Sequence, residues 1–222
     1  MKTIEWLWAW TPFLLQGFAW NILIALTAGL LGLLLGIPLA WCMRSGNRWV
    51  TSVSQRASST IHHIPTFALI FYMAVILPTE ISVPGMNLAW RIPIWIKVAL
   101  ALSAMQIGYV SENFATALQA WRDGDRTQAL LFGPGWVNGF LFTAIASSNA
   151  SVVGVNELIS RCNTVIAAND QSGAMIPVYF YGSLFFLIFC FPLAWSMNRM
   201  KKRLVSRALR SRAGRTPPNS GR

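Results

Sequence analysis

Apolar residues fill this chain in long blocks, and the charges that separate the blocks set its elements. A charge at mid-bilayer costs several kcal/mol while about 20 apolar residues cross the hydrocarbon, so charge-free intervals predict membrane spans. Residues 6 to 43 carry no charged side chain, and Phe18 to Met43 is almost wholly apolar. Trp6, Trp8 and Trp10 precede Pro12, and indole rings prefer the headgroup region, so residues 4 to 12 are expected at the membrane surface before the first span. A second, short span centres on Thr66 to Leu77, opened by His62, His63 and Pro65. The third runs from Ile92 to Val110, with Lys97 near one end where its stem can snorkel outward. The fourth lies between Gly135 and Asn156 and is the most polar, carrying Asn138, Thr143, Ser147, Ser148, Asn149, Ser151 and Asn156. Such a helix should face protein or water. The fifth, Ile176 to Met197, ends in Arg199, Lys201, Lys202 and Arg203.

The polar stretch from Gly108 to Gly133 follows the third span. Arg122, Asp123, Asp125 and Arg126 cluster around Gly124, a turn residue. Asp125 can cap a short helix whose first amides need an acceptor, with Thr127, Gln128, Ala129, Leu130 and Leu131 continuing it. Gly133 and Pro134 are expected to end it. The stretch therefore reads as a cytoplasmic docking element.

Composition agrees with the spans: 55% of the residues are hydrophobic and 11% charged, and the mean hydropathy is +0.48. A net charge of +11 would suggest nucleic acid in a soluble chain. Its distribution says otherwise. Fourteen Lys and Arg fall on one side of five spans, in Arg44, Arg48 and Arg56, in Arg122 and Arg126, and in the tail; Lys2, Arg91, Lys97 and Arg161 fall on the other. The positive-inside rule then puts the N-terminus outside and the C-terminus inside, with outer loops near Asn87 and Gln171. The tail suits anionic lipid of the inner leaflet, so membrane lipid is an expected partner and nucleic acid is not. Residues 206–222, polar and proline-containing, are expected to form a disordered basic tail. Cys42, Cys162 and Cys190 are an odd set without paired spacing, which points neither to a metal site nor to a disulfide framework.

The docking stretch resembles the coupling loop of amino-acid permease subunits of bacterial ABC importers. Tyr109, Glu112, Gly124, Ala129 and Gly133 fall in register with that pattern, while Thr127 and Gln128 stand where the family has Glu and Ala, and Asp125 replaces its Gln. The resemblance extends over residues 14 to 205: Gly17 and Asn21 open the first span, HHIP at His62 to Pro65 takes the place of the family's RGTP, and Asn149 to Leu158 is similar to its SLxSVIGVxEL. It implies an all-α integral membrane fold of five transmembrane helices over 1–205, with a coupling loop at 120–135. The protein would lie in the bacterial inner membrane and import an amino acid or similar polar solute. Its implied partners are cytoplasmic ATPase subunits, a second permease subunit and a soluble solute-binding protein. ATPase coupling would fall to Gly124, Asp125, Arg126, Thr127, Gln128, Ala129 and Gly133. The family's Ile-x-Leu-Pro element is missing, and few residues remain between Gly133 and Glu157 for a return from the docking surface.

Other readings stay open on the residues alone. Ser147, Ser148, Asn149 and Ser151 either line a substrate pathway or pack helices together. Glu112 is expected to pair with a nearby Arg, with a gating role as the alternative, and Glu157 with Arg161 four residues on. His62 and His63, adjacent on a helix, should not face one target. No GxxxxGK[ST] loop occurs, so ATP hydrolysis belongs to another polypeptide, and no cofactor is implied. A non-transporting accessory protein or a membrane enzyme is the alternative; seven acidic residues spread over both sides offer no clustered catalytic group.

Overall fold

The computed structural model describes residues 2–82, 89–168 and 173–213; Asn87, Gln171 and residues 214–222 lie outside the described residues. Helix α1 spans Lys2–Met43, α2 Arg48–His63 and α3 Thr66–Ile76. A small antiparallel hairpin follows, β1 Glu80–Ser82 on β2 Ala89–Arg91, closed by Arg91 donating to Glu80 at 2.7 Å. Then come α4 Ile94–Arg122, α5 Arg126–Leu130, α6 Phe132–Ala146 with a 3-10 extension over Ser147–Val153, α7 Leu158–Ala167 and α8 Met175–Ala213. Four of the described helical stretches are long and apolar enough to cross a membrane, or five if α2 and α3, bent by 93° at Ile64 and Pro65, count as one span.

The long α1 and α4 pack side by side because α1 presents glycines to its partner. A Cβ on Gly32 would meet Gln106 Cβ at 2.5 Å, and one on Gly36 would meet Val110 at 2.8 Å. Small residues four apart let two backbones approach closely, the usual way membrane helices gain contact where lipid offers no hydrophobic drive. Further along, Ile24 and Ala28 join Ile70, Val98, Ala99 and Leu102 in a buried cluster. These pairings advance together along both helices and end with Arg122 donating to the Arg44 carbonyl, so α1 and α4 run in the same direction and finish at the same level. Between them the chain must come back. It does so along α4: Ser58 bonds Ser111 at 2.7 Å, His62 lies on Gly108, and Thr66 reaches Met105.

Four expectations change here. Residues 4–12 form no separate surface segment, because α1 runs unbroken through Pro12. A helical proline costs about 3 kcal/mol, and docking opposes that cost: Leu7, Leu14 and Phe18 pack with Leu158, Cys162 and Val178, and Thr11 bonds the Tyr181 hydroxyl at 2.8 Å. Lys97 does not snorkel. It is buried, and its ammonium donates to the carbonyls of Ala74 at 3.2 Å and Leu77 at 2.6 Å, serving the open C-terminal end of α3. The apolar run expected as the second span is only the 11-residue α3, and the polar α2 precedes it across a 93° bend. The tail expected from residue 206 begins inside α8, which continues to Ala213 on Arg, Leu and Ala, strong helix formers that outnumber its two serines.

Candidate functional site

Three polar constellations interrupt this apolar architecture. The first is the corner after α4. The amide of Gly124 donates to Trp121 O at 3.1 Å and that of Asp125 to Ala120 O at 2.8 Å, the double bond of a helix closed by a left-handed residue, and Gly124 has φ +81°. Asp125 then caps α5, its carboxylate accepting from the Gln128 amide at 3.1 Å. Arg126 lies over the Trp121 ring at 5.8 Å, exposed together with Gln128 and Leu130, while Thr127 and Ala129 are half-buried. Gly133 has a different place from the one expected. It does not end the docking helix: Leu131 separates α5 from α6, and Gly133 and Pro134 sit in the first turn of α6, where a proline lacks only an amide that has no helical partner. The fourth span thus leaves the corner directly, as the short chain to Glu157 requires.

The second constellation lies midway along α4. Glu112 accepts from His62 at 3.1 Å and from Ser58 at 3.4 Å, so its partner is a histidine of α2 rather than an arginine. The adjacent rings diverge, and His63 reaches the Ser59 carbonyl. α4 continues ten residues beyond Glu112, about 15 Å at 1.5 Å per residue, so the pair lies about three turns short of Arg122. Arg56, Ser59, Thr60, His62 and His63 are exposed on the same helix, α2. A face this polar suits water or protein rather than lipid. The sequence singles out His62, His63 and Glu112 separately but not their pairing; the spacing of Ser54 and Ser58, the two buried residues of α2, was the available signal for its packed face.

The third is fully buried. Asn21 of α1 donates to Ser147 Oγ at 3.0 Å and to Glu157 Oε2 at 2.9 Å, and accepts from the Leu158 amide at 3.1 Å. Gly154, at φ +91°, turns the chain so that Glu157 caps α7, accepting from the Ser160 amide at 2.9 Å. Burial raises the Glu157 carboxyl above its ordinary range, against the lowering effect of the Asn21 bond. The expected pairing with Arg161 does not form: the guanidinium turns to the Phe13 carbonyl at 2.7 Å, to Gln16 at 2.9 Å and over the Phe13 ring at 4.5 Å. The reason is the N-cap, which directs Glu157 inward. Ser147 is a packing contact in this cluster; Ser148 and Ser151 bond carbonyls three residues back, and Asn149 is half-buried beside them. Among the described residues no three His, Cys, Asp or Glu side chains gather to hold a metal ion.

No family model and no curated protein match the sequence. A solved structure does match the fold. It is described as "Crystal structure of an amino acid ABC transporter with histidines", and superposes with a TM-score of 0.72 over 89% of this chain and 96% of the other at 18% identity. The chain has that fold.

Proposed function

We propose that this chain is a membrane-spanning permease subunit of an ABC importer for an amino acid or similar polar solute. The observation that carries the reading is the likeness of nearly the whole chain to a chain of an amino acid ABC transporter. Five spans fit it, because α1 and α4 run in parallel and α2 with α3 returns between them, and the excess of Lys and Arg on the side of the corner and tail fits an N-terminus outside. The corner at Gly124 to Ala129 is the docking surface for a separate cytoplasmic ATPase, with Arg126 and Gln128 presented outward. Gly133 supports it only by starting α6. The exposed face of α2, with His62 of its last turn paired to Glu112 of α4, is the water-facing wall of the solute path, shared with a second permease subunit. Ser148, Asn149 and Ser151 remain candidates at its outer end, and a soluble binding protein delivers the solute there.

The test is affinity purification of the full chain from detergent-solubilised membranes, followed by reconstitution in proteoliposomes. An ATPase should copurify, and solute uptake should depend on ATP. Gly124→Leu should leave insertion intact and uncouple hydrolysis from uptake. If no ATPase associates, or if Gly124→Leu and Arg126→Glu both keep full solute-stimulated hydrolysis, the docking assignment fails.

A further inference from the structure

Where α1 and α4 end together, a cleft of about 650 Å³ opens between their last turns and the start of α2. Arg44 and Arg122 line it together with Trp41, Ser45 and Leu118. Among the described residues neither guanidinium has a carboxylate partner: Arg122 donates only to the Arg44 carbonyl at 3.5 Å, Asp123 is held by Gln119, and Asp125 by the α5 amide. Two cations beside an open cleft with no anion of their own leave its charge unmatched. We propose that this cleft is a discrete binding site for the phosphate of an anionic phospholipid.

Depth favours a lipid over a free phosphate. Trp41, Trp49 and Trp121 are 62%, 82% and 57% exposed at the level where both spans finish, which is where indoles settle at a membrane surface. Paired guanidiniums suit phosphate because their planar forks match its oxygens. The site depends on α1 and α4 ending at one membrane surface and not on which solute, if any, the protein carries.

The experiment is native mass spectrometry of the full chain released from nanodiscs of phosphatidylcholine doped with phosphatidylglycerol. The chain should retain phosphatidylglycerol over phosphatidylcholine. Arg44→Gln with Arg122→Gln should reduce that retention about tenfold or more, taking each cation as worth several-fold near a charged surface. Arg44→Lys with Arg122→Lys should recover part of it, and Lys201→Gln with Lys202→Gln should change it little. Unchanged helix content by circular dichroism shows that the variants fold. Equal retention of both lipids, or equal loss in the Lys201 and Lys202 variant, would mean diffuse surface charge only. Displacement of the lipid by millimolar inorganic phosphate would mean a soluble-phosphate site. Either result overturns the proposal.

Discussion

Removing the Asn21 side chain should be as damaging as truncating a buried Leu14 or Ile24 of the same helix, although it deletes only an amide. Asn21 is fully buried and makes three bonds, to Ser147, to the Glu157 carboxylate and to the Leu158 amide. In Asn21→Ala the carboxylate keeps its α7 cap but loses its side-chain donor, and the Leu158 amide loses its acceptor. A buried bond to a charged group contributes about 1.5–3 kcal/mol, and an orphaned buried amide costs a further 1–3 kcal/mol. A loss of about 3 kcal/mol or more follows, on the order of 10 °C for a chain of this size. Thermal unfolding in detergent can be read by a thiol-reactive dye in a Cys42→Ser, Cys190→Ser background, because the remaining Cys162 is buried and its thiol is pushed up to about 12 by burial and by Glu157. The pH dependence gives a second reading. The folded Glu157 carboxyl lies above its usual value of 4.5, so the folded state holds the proton more tightly than the unfolded chain. The penalty for its charge is complete above the folded value and is relieved as pH falls through it, so stability should rise on acidification from neutral pH. Asn21→Ala removes a lowering contact and should steepen that rise, whereas Glu157→Gln should flatten it. A melting temperature for Asn21→Ala within a degree or so of the parent, with the same pH slope, would refute the argument that this cluster joins α1 to α7.

The two glycines of the docking corner should separate. Gly124→Ala forces a Cβ into a left-handed conformation and should cost about 1 kcal/mol, whereas Gly133→Ala, exposed in helical backbone with nothing within 4 Å, should be neutral or gain up to about 1 kcal/mol; the same melting assay compares them. Lys97→Met leaves the Ala74 and Leu77 carbonyls without their shared donor and should destabilise by about 1–3 kcal/mol, with faster proteolysis near α3 as the local readout. Glu112→Gln should change stability by less than about 1 kcal/mol, since its pair with His62 is 41% and 39% exposed. A marked loss of uptake in that variant, at unchanged stability, would fit the water-facing wall; unchanged uptake would count against it.

Charge spacing alone determined that this chain is helical and apolar enough to cross a membrane several times, because the cost of a charge in hydrocarbon is large compared with any local preference. Gly124 and Asp125 were equally legible, since a turn glycine followed by a capping carboxylate is a local arrangement that needs only its neighbours. The rest was decided at longer range. Pro12 stays inside α1 because residues far along the chain pack around it, and Lys97 stays buried because α3 happens to end beside it with open carbonyls. The partner of Glu112 depended on the packing of α2 against α4 at Ser58 and Gly108, and that of Glu157 on the turn at Gly154 that points its side chain at Asn21. Hydropathy reports the cost of placing a residue in lipid; it does not carry the direction in which a side chain leaves its helix, and the pairing of Glu112 and the buried bonds of Asn21 depend on that direction.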